Sequence, residues 1–323
     1  MRVPALLILS AATLALAACG PRKAEPGASL SWAYPQAAKP PPSPRFPGGP
    51  LHVPGSALSF TAAQVGDDRN PVDWFPAEHP APPMVVAHER EGGPTPCAEC
   101  HLYNGRGFIA AADLAGLSAP YIVQQVQAFR SGRRQSAQHD RFDTNEMIKV
   151  SAKISDHDLA EAAAYFSSLP RAPSVRVVET DTVPATKPYL YGWLEIVPNG
   201  GTEPIKGQII EVSEDMSRMY LADPHVGLVD YVPPGAVKRG EALVRSGGRN
   251  GQPCAACHGS EWKGVGDTPP LAGRAASYLA RMLWDIKTGA RRGPDVAAMQ
   301  APAKALNEVD ITDVAAYLAS RKP

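Results

Sequence analysis

The chain has 323 residues, room for two domains of about 100 residues each with connecting segments. Lys plus Arg and Asp plus Glu both total 32, so the formal net charge is zero, which argues against nucleic acid or a strongly charged surface as the main partner and leaves only local patches for docking. The 34 prolines imply much extended or irregular chain outside the domains, and the five cysteines, one alone and two C-x-x-C pairs, imply no disulfide framework.

In chain order, Arg2 followed by the apolar run from Ala5 to Ala15 reads as a signal peptide, residues 1–18, because that run is too short to span a bilayer. It ends in Leu16-Ala17-Ala18-Cys19, which resembles the lipobox of bacterial lipoproteins. That resemblance implies a lipid on Cys19, anchoring to a membrane and a place on the periplasmic side of the cell envelope, with Gly20 favouring the outer membrane over the inner. Residues 19–50, with Pro40, Pro41, Pro42, Pro44 and Pro47, read as a Pro-rich tether reaching about 3 Å per residue. Residues 51–91 read as an irregular extension covering the first domain, with a short helix from Thr61 to Val65.

Two pentapeptides follow, Cys97-Ala98-Glu99-Cys100-His101 and Cys254-Ala255-Ala256-Cys257-His258. The spacing has a chemical reason: thiols three residues apart on one helical turn add to the two vinyl groups of haem, and the adjacent His takes the iron from one side. A zinc site needs four ligands and a redox dithiol normally sits in a βαβ unit, so both are weaker readings. The expected cofactors are therefore two covalently bound haem c groups.

An internal repeat extends from these motifs. Leu114-Ala115-Gly116 and Leu271-Ala272-Gly273 both begin 13 residues after the His, Tyr121 and Tyr278 fall at 20, and Gly132 and Gly289 at 31, each followed by a basic pair, Arg133-Arg134 or Arg291-Arg292. Between them, Tyr121, Ile122, Gln125, Val126 and Phe129 in one copy and Tyr278, Leu279, Met282, Leu283 and Ile286 in the other form apolar helical stripes, with Met282 read as core filler and the glycines as helix C-caps. Each copy closes with a helix capped by Ser155 or Asn307, and Leu159, Ala162, Ala163 and Phe166 match Ile311, Val314, Ala315 and Leu318. Met147 and Met299 lie 8 residues before those caps, each placed in a loop by this reading. A thioether is the usual second axial ligand of an electron carrier, so both are candidate iron ligands opposite His101 and His258. Met84, Met216 and Met219 fall outside the repeat, and His88 is the least remote substitute for a Met in the first copy. The arginine pairs are read either as partners of haem propionates or as a basic docking rim.

The whole pattern resembles the class I cytochromes c, in a dihaem form with two such domains over residues 92–170 and 236–323. The resemblance implies a mainly α fold. It also implies that the carbonyl of a Pro two residues before the Leu accepts from the iron-bound His; Pro269 holds that place in the second copy and Ala112 in the first. A leading helix is expected over Ala236 to Arg245, whereas the first copy has prolines there. Residues 171–235 form a connector with two to four short strands, at Val175 to Val178, Gly207 to Val212 and Leu228 to Val232. The expected function is relay of single electrons between a redox protein donor and an acceptor. The alternatives are a dihaem enzyme, peroxidase-like or oxidising small sulfur or nitrogen compounds, and a fixed cytochrome subunit of a larger dehydrogenase.

Overall fold

The computed structural model describes residues 30–36, 46, 48–109, 111–189 and 192–323; the signal peptide and Cys19 lie outside the described residues. Between residue 48 and the first pentapeptide the chain holds two single turns of α-helix, α1 (Ala62–Val65) and α2 (Met84–Ala87). Thr61 and Gln64 close a capping box that satisfies the exposed backbone of α1. The prolines that deny this region a long helix still allow α2, whose Val85, Val86 and Ala87 are buried.

The first helical unit is α3 (Cys97–His101), α4 (Ala119–Arg130), α5 (Phe142–Lys153) and α6 (Asp156–Ser168). Ser118 caps α4 by accepting from the backbone of Tyr121, and Ser155 caps α6 by accepting from Asp158. The buried stripe of α4, Ile122, Val126 and Phe129, turns toward α5 and α6, and α6 answers with Leu159, Ala162, Ala163 and Phe166. Met147 lies inside α5, not in a loop.

The connector contains β1 (Val175–Glu179), β2 (Thr182–Pro184), β3 (Thr186–Tyr189), β4 (Trp193–Ile196), β5 (Thr202–Pro204), β6 (Ile210–Ser213), α7 (Met216–Tyr220) and β7 (Leu228–Val232). β7 is the centre of a three-stranded sheet, parallel to β1 and antiparallel to β6; β2 pairs with β5 and β3 with β4. The added pairs exceed the two to four strands expected from sequence. At three or four residues each they are too short to show alternation.

The second unit comprises α8 (Ala236–Ser246), α9 (Ala255–His258), α10 (Ala276–Thr288), α11 (Ala297–Ala305) and α12 (Glu308–Ala319). Met299 likewise sits in a helix, α11. α8 crosses α12 so closely that a methyl group at Gly240 would overlap the Asp313 carbonyl and lie 2.8 Å from Tyr317 Cβ. In the first unit α2 packs on α6 as a one-turn remnant of that arrangement: Ala87 and Val244 both precede the first cysteine of their motif by ten residues, and both are buried.

Residues 30–36 depart from the expected tether. Leu30, Ala33 and Tyr34 are buried in the core built by α10 and α12. Tyr34 donates to Asp285 Oδ1 at 2.7 Å, and Arg281 Nη1 donates to the Ala33 carbonyl at 3.2 Å. This stretch is docked because it carries an aromatic and an aliphatic anchor that bare proline spacers lack. Among the described residues no helix is long and apolar enough to cross a membrane.

Candidate functional site

Both pentapeptides fold the same way. Cys97 and Cys254 are half-buried, Cys100 and Cys257 exposed, and none of the four is in a disulfide. Burial pushes the Cys97 thiol up to about 12, the opposite of what a reactive dithiol or a metal-binding thiolate requires. The histidines are buried beneath. His101 Nδ1 lies 2.8 Å from the Ala112 carbonyl, and His258 Nδ1 lies 3.0 Å from the Pro269 carbonyl. A carbonyl only accepts, so Nδ1 carries the hydrogen and the lone pair is left on Nε2. Burial pulls both imidazoles below their ordinary pKa despite that bond, which keeps them neutral and able to ligate a metal.

The same bond forms in both copies because its acceptor is backbone, 11 residues after each His. A Pro269→Ala variant should therefore retain the His258 geometry, with an unchanged absorption spectrum and a stability change of about 1 kcal/mol or less by thermal melting.

α5 packs on α4 as α11 packs on α10, so Met147 and Met299 occupy equivalent places. Met147 is half-buried at the edge of the cluster holding Ile122, Val126 and Phe166; Met299 packs against Ile286, Val296 and Ala303. The other sulfurs are elsewhere: Met84 is exposed, and Met216 and Met219 pack with Trp193 and Val226 in the connector. His88 is held by the Asn70 side chain at 3.0 Å.

The two units meet at a seam that the sequence reading did not foresee. Arg134 and Arg291, each 33 residues after its His, pair as an antiparallel bridge. Gln135 N–H donates to the Ala290 carbonyl at 3.0 Å and Arg292 N–H to the Arg133 carbonyl at 2.9 Å. Each guanidinium then crosses to the opposite unit, Arg134 to the Tyr278 hydroxyl at 3.4 Å and Arg291 to the Tyr121 hydroxyl at 3.1 Å. Gln125 Oε1 accepts from both arginines, at 3.1 and 2.7 Å, and so does the sulfur of Met282, at 3.4 and 3.6 Å. Met282 is thus a polar contact of the seam and not core filler. Burial raises the Tyr121 hydroxyl, but Arg291 and Arg134 outweigh it and leave its pKa below the ordinary value.

This arrangement splits the two basic pairs. Arg134 and Arg291 are buried, so they form no docking rim, whereas Arg292 is exposed and Arg133 faces Asp295 at 3.8 Å. The common offset of 33 from each His was the available signal. Beside the seam a cleft is lined by Arg106, Gly107, Asp113, Arg274, Ala275 and Tyr278. Arg106 Nε, Arg274 Nη2 and Arg291 Nε are buried without a hydrogen-bond partner, and burial pulls Arg106 down to about 10. Asp113 engages Arg171 at 3.1 Å and Arg274 at 3.8 Å. A buried excess of guanidinium donors facing one carboxylate fits ligands that bring carboxylates of their own.

The sequence pattern of the family described as "Cytochrome c" matches residues 237–322. The chain is 27% identical over 237 residues to the thiosulfate dehydrogenase electron acceptor of Stutzerimonas stutzeri, covering 71% of this chain and 82% of that protein. It is 26% identical over 228 residues to cytochrome c4 of Pseudomonas aeruginosa, covering 69% and 82% respectively. A shorter stretch of 70 residues is 37% identical to cytochrome c-554(548) of Halomonas halodenitrificans, covering 21% of this chain and 84% of that one.

Proposed function

The chain belongs to the cytochrome c family, and from that premise we propose that it is a dihaem electron relay on the periplasmic side of the cell envelope. It takes single electrons from a donor dehydrogenase and passes them to an acceptor protein. The observation that carries the reading is the repeated proximal geometry, His101 on the Ala112 carbonyl and His258 on the Pro269 carbonyl, each on the same helical turn as its two thiols.

The placement of these residues supports the following roles. Cys97 with Cys100 and Cys254 with Cys257 would hold the two haems by thioether bonds, with His101 and His258 offering Nε2 to iron. Met147 and Met299 would supply the sulfur ligands. Haem supplies an iron centre that changes between ferric and ferrous without making or breaking a bond in a substrate. The protein's part is to hold the imidazole hydrogens on Nδ1, to fix ligand distances by helix packing and to keep water away. Arg291, Arg106 and Arg274, each with a buried nitrogen that lacks a partner, are assigned to the propionate carboxylates. A seam built from both units keeps the two sites at a constant separation, and constant geometry favours transfer between them.

The likeness to an electron acceptor of thiosulfate dehydrogenase supports a donor that oxidises a small sulfur compound. The Leu16-Ala17-Ala18-Cys19 sequence supports a lipid on Cys19 that anchors the relay to a membrane, with the outer membrane favoured. The charge-transfer band of oxidised sulfur-ligated haem tests the assignment. The native protein should show two equivalents, and Met147→Ala or Met299→Ala should remove one each. A native protein with one equivalent, a high-spin signal and peroxide turnover would instead be an enzyme.

A further inference from the structure

Where α10 meets the connector sheet, two carboxyls are buried together. Glu211 on β6 and Asp230 on β7 are direct cross-strand partners, 3% and 0% exposed. Glu211 Oε2 accepts from the Ser277 hydroxyl at 2.8 Å, and Asp230 Oδ2 accepts from the Ala276 N–H at 2.7 Å. The remaining oxygens, Glu211 Oε1 and Asp230 Oδ1, have no N–H or O–H donor, and the two carboxyls lie within hydrogen-bonding reach of each other. Two carboxyls in such a dry site do not both ionise readily, so one proton is held between them.

Few other groups face the pair. From α10 come Ser277 and Arg281; from β1 the residue opposite Asp230 is Val177. Arg281 Nη1 donates to Ser277 Oγ at 3.0 Å and to the Ala33 carbonyl of the docked N-terminal segment, while its Nη2 is buried without a partner. One turn further along α10, Asp285 accepts from Tyr34 and from the Ala137 N–H, within the field of Arg134 at the seam. One guanidinium against two carboxyls is neutral when the pair holds a proton and carries one negative charge when it does not. None of these side chains belongs to the assigned haem attachments or iron ligands.

We propose that Glu211 and Asp230 form a proton-binding site coupled to the electron held in the second domain, an inference that rests on reading residues 254–258 as a haem site. Oxidised iron carries one more positive charge than reduced iron and weakens the pair's hold on its proton through the low-dielectric core that Cys254 and Ala255 share with Ala276 and Leu279 of α10. The coupled step is: ferric iron with the unprotonated pair, plus one electron from the donor protein and one proton from water, gives ferrous iron with the protonated pair. Between the pair's pKa in the oxidised protein and its higher pKa in the reduced protein, reduction becomes harder as pH rises. The equilibrium constant then changes by up to tenfold per pH unit, about 59 mV for a one-electron couple; outside that window the potential is flat.

The test uses the full holoprotein with its haem content counted first. The potentials of both haems are measured against pH for the native chain, Asp230→Asn and Glu211→Gln, isosteres that preserve shape. The expected result is a pH-dependent window on one haem of the native protein that disappears in both variants at unchanged haem content. A flat native profile with two haems bound, or a slope that persists in both variants, overturns the proposal. If the variants fail to fold, the native redox-difference infrared spectrum decides. A carboxylic acid C=O band that appears on reduction and shifts in D2O supports the coupling, and its absence overturns it. A native chain with no haem at 254–258 overturns the relay assignment as well, and the haem count separates the two failures.

Discussion

A chain with Cys254→Ser and Cys257→Ser is expected to carry one haem where the native chain carries two, and to accept half as many electrons per molecule in a reductive titration. On the proposed assignment the thiols would be the covalent hold, and α9 is a four-residue helix that cannot retain a large planar group by packing alone. The first site should survive because His101 keeps its own acceptor, the Ala112 carbonyl, and its own core around Ile122, Leu159 and Phe166. A haem assay on the purified variant reads the outcome. Two haems retained would refute the assignment of residues 254–258, and none would mean that the units do not load independently.

Gly240→Ala is expected to destabilise the second domain strongly. The added carbon meets the Asp313 carbonyl and Tyr317 Cβ, which are parts of α12 itself and not the far ends of movable side chains. Asp313 is further fixed by the Arg239 guanidinium at 2.7 and 2.8 Å. Relief requires the two helices to separate, opening the core around Val244, Tyr317 and Trp262. Overpacking of this kind costs about 1–3 kcal/mol or more, and each kcal/mol lowers the melting temperature of a domain of this size by roughly 4–8 °C. Lys238→Ala, on the exposed side of the same helix, should shift it little. Calorimetry of both variants makes the comparison, and equal melting temperatures would show that the helix crossing tolerates the methyl group.

Much of the site is written locally. The two pentapeptides, the tyrosines at 20 and the caps at Ser155 and Asn307 are short-range patterns, and each corresponds to an element in the fold; of the two glycines at 31, Gly289 caps α10, whereas α4 closes on Ser131 with Gly132 one residue beyond. The His-to-carbonyl bond could be anticipated in both copies because it needs backbone and not a particular side chain. The helices holding Met147 and Met299 were less legible. α5 begins on Arg141 without a side-chain cap, and α11 contains Pro302, so neither announces itself. The missing leading helix of the first unit was visible as prolines, but its replacement by the single turn α2, seated on α6, was not.

What the sequence by itself determined is the pair of C-x-x-C-H motifs, the candidate iron ligands that end them and the plan that two units share, because these are set by spacing within a helix or a tight loop. Only the tertiary structure decided how the units meet. The contacts of Arg134 with Tyr278 and of Arg291 with Tyr121 join residues 144 and 170 positions apart, and no local periodicity encodes a pairing over that distance. The same holds for Met282, drawn from an apolar stripe to two guanidinium groups, for Tyr34 docked on Asp285, and for Glu211 set opposite Asp230 by strand register. In each case a polar group is buried, and burial obliges it to find a partner wherever the fold supplies one.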